Sequence, residues 1–208
     1  MNTRPYTDLL GLVEALCGAT LAEQERVRIR YFVNRRAQRA YAATELWPRF
    51  LVVGEERVVS EAGLLPYEQP ALADIGTVLR IHATQPFLSD PAREYGEFYA
   101  STAGIQITGY QPAQVESLYS AFITYKAALT ATYGSNDGDT TTFPEEWFEY
   151  AAHGAYADFL RNEGQQEKAL VAEAEATEIL QEQLEKVSRQ GGARVATRVM
   201  NHANHQSR

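Results

Sequence analysis

The sequence predicts an α+β protein: a helical bundle, built from an N-terminal long helix and a C-terminal helical hairpin, with an inserted small antiparallel β-lobe and an extended C-terminal tail. Three observations predict it. Apolar residues recur at helical spacing in two blocks, 1–48 and 143–190. Between them, residues 49–133 alternate with period two in short runs separated by turn residues. Beyond Gly191-Gly192, residues 191–208 contain basic residues and no acid, and read as a tail.

The elements follow in order. Leu9, Leu12, Val13 and Leu16 lie at helical spacing, so residues 6–19 read as a short helix with Gly18 at its end. Thr20-Leu21-Ala22-Glu23 has the spacing of a capping box, and opens a long helix over 21–46 that stops before Pro48. Its apolar stripe is Ile29, Phe32, Val33, Ala37, Ala40 and Tyr41. Residues 50–53 and 57–59 flank Gly54-Glu55-Glu56 as a short hairpin would. Further strands are expected over 77–83, 93–99, 104–109 and 122–129, with Pro86 and Pro91 marking a loop. The run 134–139 is a loop by composition. Pro144 followed by Glu145 and Glu146 is a strong helix start, because the proline ring fits the first turn and acids favour the positive end of the helix dipole. That helix runs to about Arg161. Asn162-Glu163-Gly164 connects it to a second helix, from Gln165 to about Ser188. So short a loop makes the two antiparallel neighbours.

Composition narrows the function classes. The chain has 208 residues, 45% of them hydrophobic, which is enough for a packed core. No apolar run approaches the roughly 18 residues that span a bilayer, and residues 1–17 lack a signal-peptide pattern, so a soluble protein made inside the cell is expected. Cys17, the single cysteine, reads as a small buried hydrophobe. The net charge of −8 is unevenly spread. Residues 1–48 carry seven arginines against five acids, residues 49–185 carry seven basic residues against 22 acids, and residues 186–208 carry five basic residues and no acid. An acidic body disfavours wrapping of nucleic acid, which needs basic charge over the contact surface.

Candidate chemistry is sparse. Glu149 and His153 have the i, i+4 spacing of a chelating pair, but no Glu-x-x-His partner exists on a second helix, so an exposed polar face is the stronger reading. The 136–139 loop lacks the ligand spacing of an EF-hand. Phosphate-binding glycine loops, a nucleophile elbow and a zinc-protease motif are all missing from the sequence. His202 and His205 fall in the tail, without rigid support. No cofactor, metal or catalytic residue is assigned, and the protein is expected not to be an enzyme.

The arginines of the long helix are the strongest candidates for contact. Arg26, Arg28, Arg30, Arg35, Arg36 and Arg39 crowd its middle, with Arg28, Arg35 and Arg39 near one another on one face. A phosphate-binding strip would look like this, and so would a face that pairs with carboxylates of the body or of a neighbouring subunit. The acidic middle segment favours protein contacts, and arginine is the residue suited to bidentate pairs across an interface. The alternative is a cellular nucleic-acid-associated regulator that uses the Arg-rich helix 21–46. The tail, with Arg194 and Arg198, has two readings, a disordered solubility appendage or an arm that orders on an acidic partner, and the abrupt change of sign after Glu185 favours the arm.

One segment carries a family likeness. Phe143-Pro144-Glu145-Glu146-Trp147, the small-residue run Ala151-Ala152-His153-Gly154-Ala155, then residues 159–164 and Glu167-Lys168-Ala169 resemble the closing helical hairpin of tailed-phage head-to-tail connector (neck adaptor) proteins. The resemblance covers residues 143–187. It implies a homo-oligomeric ring, typically of twelve copies, packed through the helical bundle and seated beneath the portal protein. It further implies a C-terminal arm docked on the portal, a downstream tail or neck protein as second partner, and genomic DNA passing through the lumen without sequence-specific binding. The location implied is the virion neck, after synthesis in the host cytoplasm. The expected protein-contact residues are Arg26, Arg28, Arg35, Arg36, Arg39, Trp147, Arg194 and Arg198.

Overall fold

The computed structural model describes residues 2–86, 94–110, 119–130, 133 and 142–205, with side chains described to residue 189. The chain divides into two units, Met1–Thr44 with Thr130–Arg208, and Glu45–Leu129.

The first unit is helical. A short strand, β1 (Thr3–Pro5), leads into α1 (Tyr6–Cys17), and α2 (Glu23–Ala42) follows. Where the sequence pointed to Thr20 as the cap, the residue before α2 is Ala22. Its N–H donates to Glu25 Oε2 at 2.7 Å, so the glutamate half of a capping box is present two residues further along. The displacement has a cause: Leu21 is buried and its N–H donates to Glu14 Oε1 at 3.3 Å, which holds this stretch as the link between the helices. The helix also ends earlier than Pro48 required, at Ala42.

In the second unit, β2 (Leu51–Val58), β3 (Leu64–Leu65), β4 (Ile75–His82), β5 (Phe98–Ser101), β6 (Gly104–Ile107) and β7 (Ser120–Ala127) form two three-stranded antiparallel sheets, ordered β2-β7-β4 and β3-β6-β5. Their shared core is Val59, Leu65, Ile75, Ile81, Tyr95, Ile105, Ile107, Ala121, Ile123 and Tyr125. The hairpin expected around 54–56 is instead one continuous strand. Gly54 sits at φ +64°, the pairing with β7 shifts between Val52 and Glu55, and the strand resumes: the glycine makes a bulge, not a turn. The strand expected over 93–99 begins only at Phe98, with Glu94 forming an isolated bridge to His82; Pro91 and Arg93 lie outside the described residues. The 134–139 loop also lies outside them.

The chain re-enters the helical unit through β8 (Thr142–Pro144), which pairs antiparallel with β1, Arg4 opposite Phe143. Next come α3 (Glu145–Asn162) and α4 (Gln166–His205). α3 is packed by α1, α2 and α4, and only Glu149 and Asn162 along it are exposed. Trp147, Ala151, Ala155, Ala169 and Ala176 are fully buried, and the alanines let the hairpin helices approach closely. The tail differs from expectation, because α4 continues as helix through Gly191-Gly192 to His205. Glycine costs about 1 kcal/mol per residue in a helix relative to alanine but forbids nothing, and residues 193–200 contain no proline to stop the turn. No helix among the described residues is long and apolar enough to cross a membrane.

Candidate protein-contact faces and the charge lock between them

The six arginines of α2 do not share one face. Successive helical residues turn by about 100°, so Arg36, three residues after Val33 and four before Ala40, lies on the buried stripe. It is 1% exposed. Its Nε and Nη2 donate to Asp158 Oδ2 and Oδ1 at 2.9 and 2.8 Å, and its Nη1 and Nη2 donate to Glu173 Oε1 and Oε2 at 2.7 and 2.5 Å. A guanidinium can make two such forked pairs because its donors are planar and splayed. Arg161 joins from α3, with Nη1 at 2.9 Å from Asp158 and 3.1 Å from Glu173. One cation of α2 is thereby tied to carboxylates of both hairpin helices.

Gly154 makes this crossing possible. A Cβ built there would stand 2.7 Å from Arg36 Cδ and 2.8 Å from its Nε, so the side chain passes where α3 has none of its own. Burial alone would lower the Arg36 pKa, but the hydrogen bonds it donates to Glu173 and Asp158 outweigh that and raise it above the ordinary value. The Glu173 carboxyl is held below the usual range, chiefly by its hydrogen bonds from Arg36. Arg36 and Trp147 were expected at a protein interface. Both are interior: Arg36 is 1% exposed and Trp147, among the largest fully buried side chains, is 0% exposed. Arg26 is also turned inward to its own chain, pairing with Glu14 at 2.9 Å.

Arg28, Arg35 and Arg39 are exposed, and none forms an ion pair with a described residue. They share the outer face of α2 with Val27 and Tyr31, which are 54% and 67% exposed. α4 carries the opposite pattern. Its outer face runs through Glu167, Val171, Ala174, Glu178, Glu182 and Glu185, all exposed, with Leu170 and Val171 at 66% and 62%. Sequence reading found the basic face and missed the acidic one. The repeat of acids at 167, 178, 182 and 185, out of phase with Ala169, Ala172 and Ala176, was the signal available. Arg194 and Arg198 lie on the backbone of α4, and their side chains fall outside those described.

Two weaker candidates close off. His153 Nδ1 lies 3.2 Å from Glu175 Oε2 on α4, and no group of three or more His, Cys, Asp and Glu that could hold a metal occurs among the described residues. Cys17 is half-buried, and burial together with the nearby Glu25 and Glu14 carboxylates pushes its thiol pKa up, away from the reactive thiolate. No protein-family model matches the chain, and no curated protein matches it.

Proposed function

We propose that this protein is a structural adaptor of a tailed-phage neck, assembling into a ring of about twelve copies that joins the portal to the tail and lets the genome pass. The observation that carries the reading is one helical unit with an arginine face on α2, a glutamate face on α4, and a buried Arg36 lock holding the two helices about α3. Ring subunits need two different surfaces that meet head to tail, and rigid elements that keep those surfaces at a fixed angle so that the ring closes. The hairpin of residues 143–187, which resembles that of neck adaptors, supplies one of these surfaces. In this reading the protein is not an enzyme and takes no cofactor. The basic end of α4, with Arg194 and Arg198, docks the portal, and a downstream neck or tail protein binds the opposite side. Carboxylates facing the lumen would repel phosphate and let DNA slide.

Mixing the full chain with its cognate portal and measuring the mass of the product by light scattering tests this. A ring-sized addition to the portal is expected. Failure to form any ring-sized complex at any salt concentration would sink the reading. The exposed Arg28, Arg35 and Arg39 favour one competing reading, a nucleic-acid-associated regulator. It requires duplex DNA affinity that falls steeply with salt and disappears when the three are changed to Gln.

A further inference from the structure

We propose that the arginine face of α2 docks on the glutamate face of α4 of a second copy of this chain. This deepens the ring reading and rests on it. Both helices turn their buried stripes toward α3, which packs between them, so one copy cannot bring its own outer faces together. A second copy can.

The two faces match in chemistry. Arg28, Arg35 and Arg39 stand unpaired among described residues around Tyr31 and Val27. Glu178 and Glu182 likewise form no ion pair with a described residue, and Glu185 makes only an exposed contact of 3.2 Å with Arg189 on its own helix. Each face thus joins a charged row to exposed apolar side chains, Tyr31 and Val27 on one, Leu170 and Val171 on the other. Apolar centres with complementary charge around them are the usual anatomy of a specific contact.

Their lengths are compatible as well: Arg28 to Arg39 covers roughly 16 Å and the longer row from Glu167 to Glu185 roughly 27 Å at 1.5 Å per residue, so the basic face fits within the acidic one. Because the contact joins unlike surfaces, it leaves one α2 face and one α4 face open at the ends of any short chain of copies. Closure into a ring satisfies both. A nucleic acid could meet the α2 face alone, but nothing about it accounts for the acidic, apolar-flanked stripe on α4.

Charge reversal on each face separately is the test. One full-length variant carries Arg28→Glu, Arg35→Glu and Arg39→Glu; the other carries Glu178→Lys, Glu182→Lys and Glu185→Lys. All six residues are exposed, so circular dichroism and thermal unfolding should match the parent chain. Sedimentation in low salt should show the parent self-associating and each variant alone doing so about tenfold more weakly or worse. An equimolar mixture of the two should recover association, because each variant's altered face meets its complement only on the other variant. Loss through misfolding would not recover on mixing. A parent chain that stays monomeric at low salt and high concentration would overturn the inference. So would single variants that associate as the parent does, or an arginine variant that loses only duplex DNA binding. None of these three outcomes decides the ring reading, which stands or falls on the portal experiment.

Discussion

The helical unit and the β unit each bury an arginine almost completely, and they close it in opposite ways. Arg57, in β2, bonds within the β unit, to its own strand, to β7 and to the segment before β4. It is 1% exposed, its Nε donates to Glu55 Oε2 at 3.0 Å, and its Nη2 donates to the carbonyl of Ala73 and to the Tyr125 hydroxyl. The Tyr125 hydroxyl in turn donates to Glu55 at 2.7 Å, and burial together with that carboxylate pushes the phenol up to about 12. This cluster stiffens the strand just after its bulge. Arg36 instead pairs with residues 122 and 137 positions away and joins three helices. One arginine ties β2 to the neighbouring β7, while the other fixes the relative placement of the helices that carry both proposed docking faces.

Breaking Arg36 should have the largest effect. Arg36→Met leaves the buried Asp158 and the partly buried Glu173 with Arg161 as their remaining cation, and a loss of about 3 kcal/mol, the lower end for a broken buried pair, is expected from thermal or urea unfolding. Hydrogen exchange should rise first in α3 and α4. A loss below about 0.5 kcal/mol would mean that the arginine behaves as a surface residue. In the β unit, Tyr125→Phe removes one hydroxyl that both accepts from Arg57 and donates to Glu55, and should cost about 1.5–3 kcal/mol, with exchange rising in β2 and β7.

Gly154→Ala separates packing from propensity. In an ordinary helix the change is worth about 1 kcal/mol of added stability. Here the new methyl meets Arg36, and a net loss of about 1–3 kcal/mol is expected from overpacking. Any net gain in melting temperature would show that Arg36 moves aside at no cost.

Acid should reach the two units differently. The Glu173 pKa is lowered in the fold, so its contribution is fully present above the unfolded value, near about 4.3, and is lost as pH falls through the lower folded value. The stability of the helical unit should therefore decline below about pH 4, and Glu173→Gln should flatten that decline. The smallest effect belongs to the surface: Arg28→Gln should change stability by less than about 0.5 kcal/mol, because the side chain is exposed and forms no ion pair with a described residue.

The α+β class, the main helices and the core-facing stripes were legible because each depends on spacing within one segment. The register of α3 is an example: Pro144 and the two glutamates after it mark its start, and the short 162–164 connector fixes its neighbour. Pairing across the chain left no such trace. β1 and β8 are three residues each and meet across more than 130 positions, so neither shows periodicity. Arg36 looked like one of six surface arginines, yet its place beside Val33 and Ala40 put it on the apolar stripe. Asp158 has the matching position on α3, one turn beyond Ala155. Polar residues in register with a buried stripe, one on each helix and with a glycine between them, were the readable sign of the lock. Gly54 misled for a physical reason: a positive φ serves a bulge as readily as a turn, and only the partner strand decides between them.

Electron cryomicroscopy of the full chain bound to its portal tests the ring adaptor most directly. The account predicts a closed ring of about twelve copies beneath the portal, with α2 of each copy against α4 of the next and Arg36 still bridged to Asp158 and Glu173 inside every copy. Isolated copies scattered on the portal, or no added density at all, would contradict it.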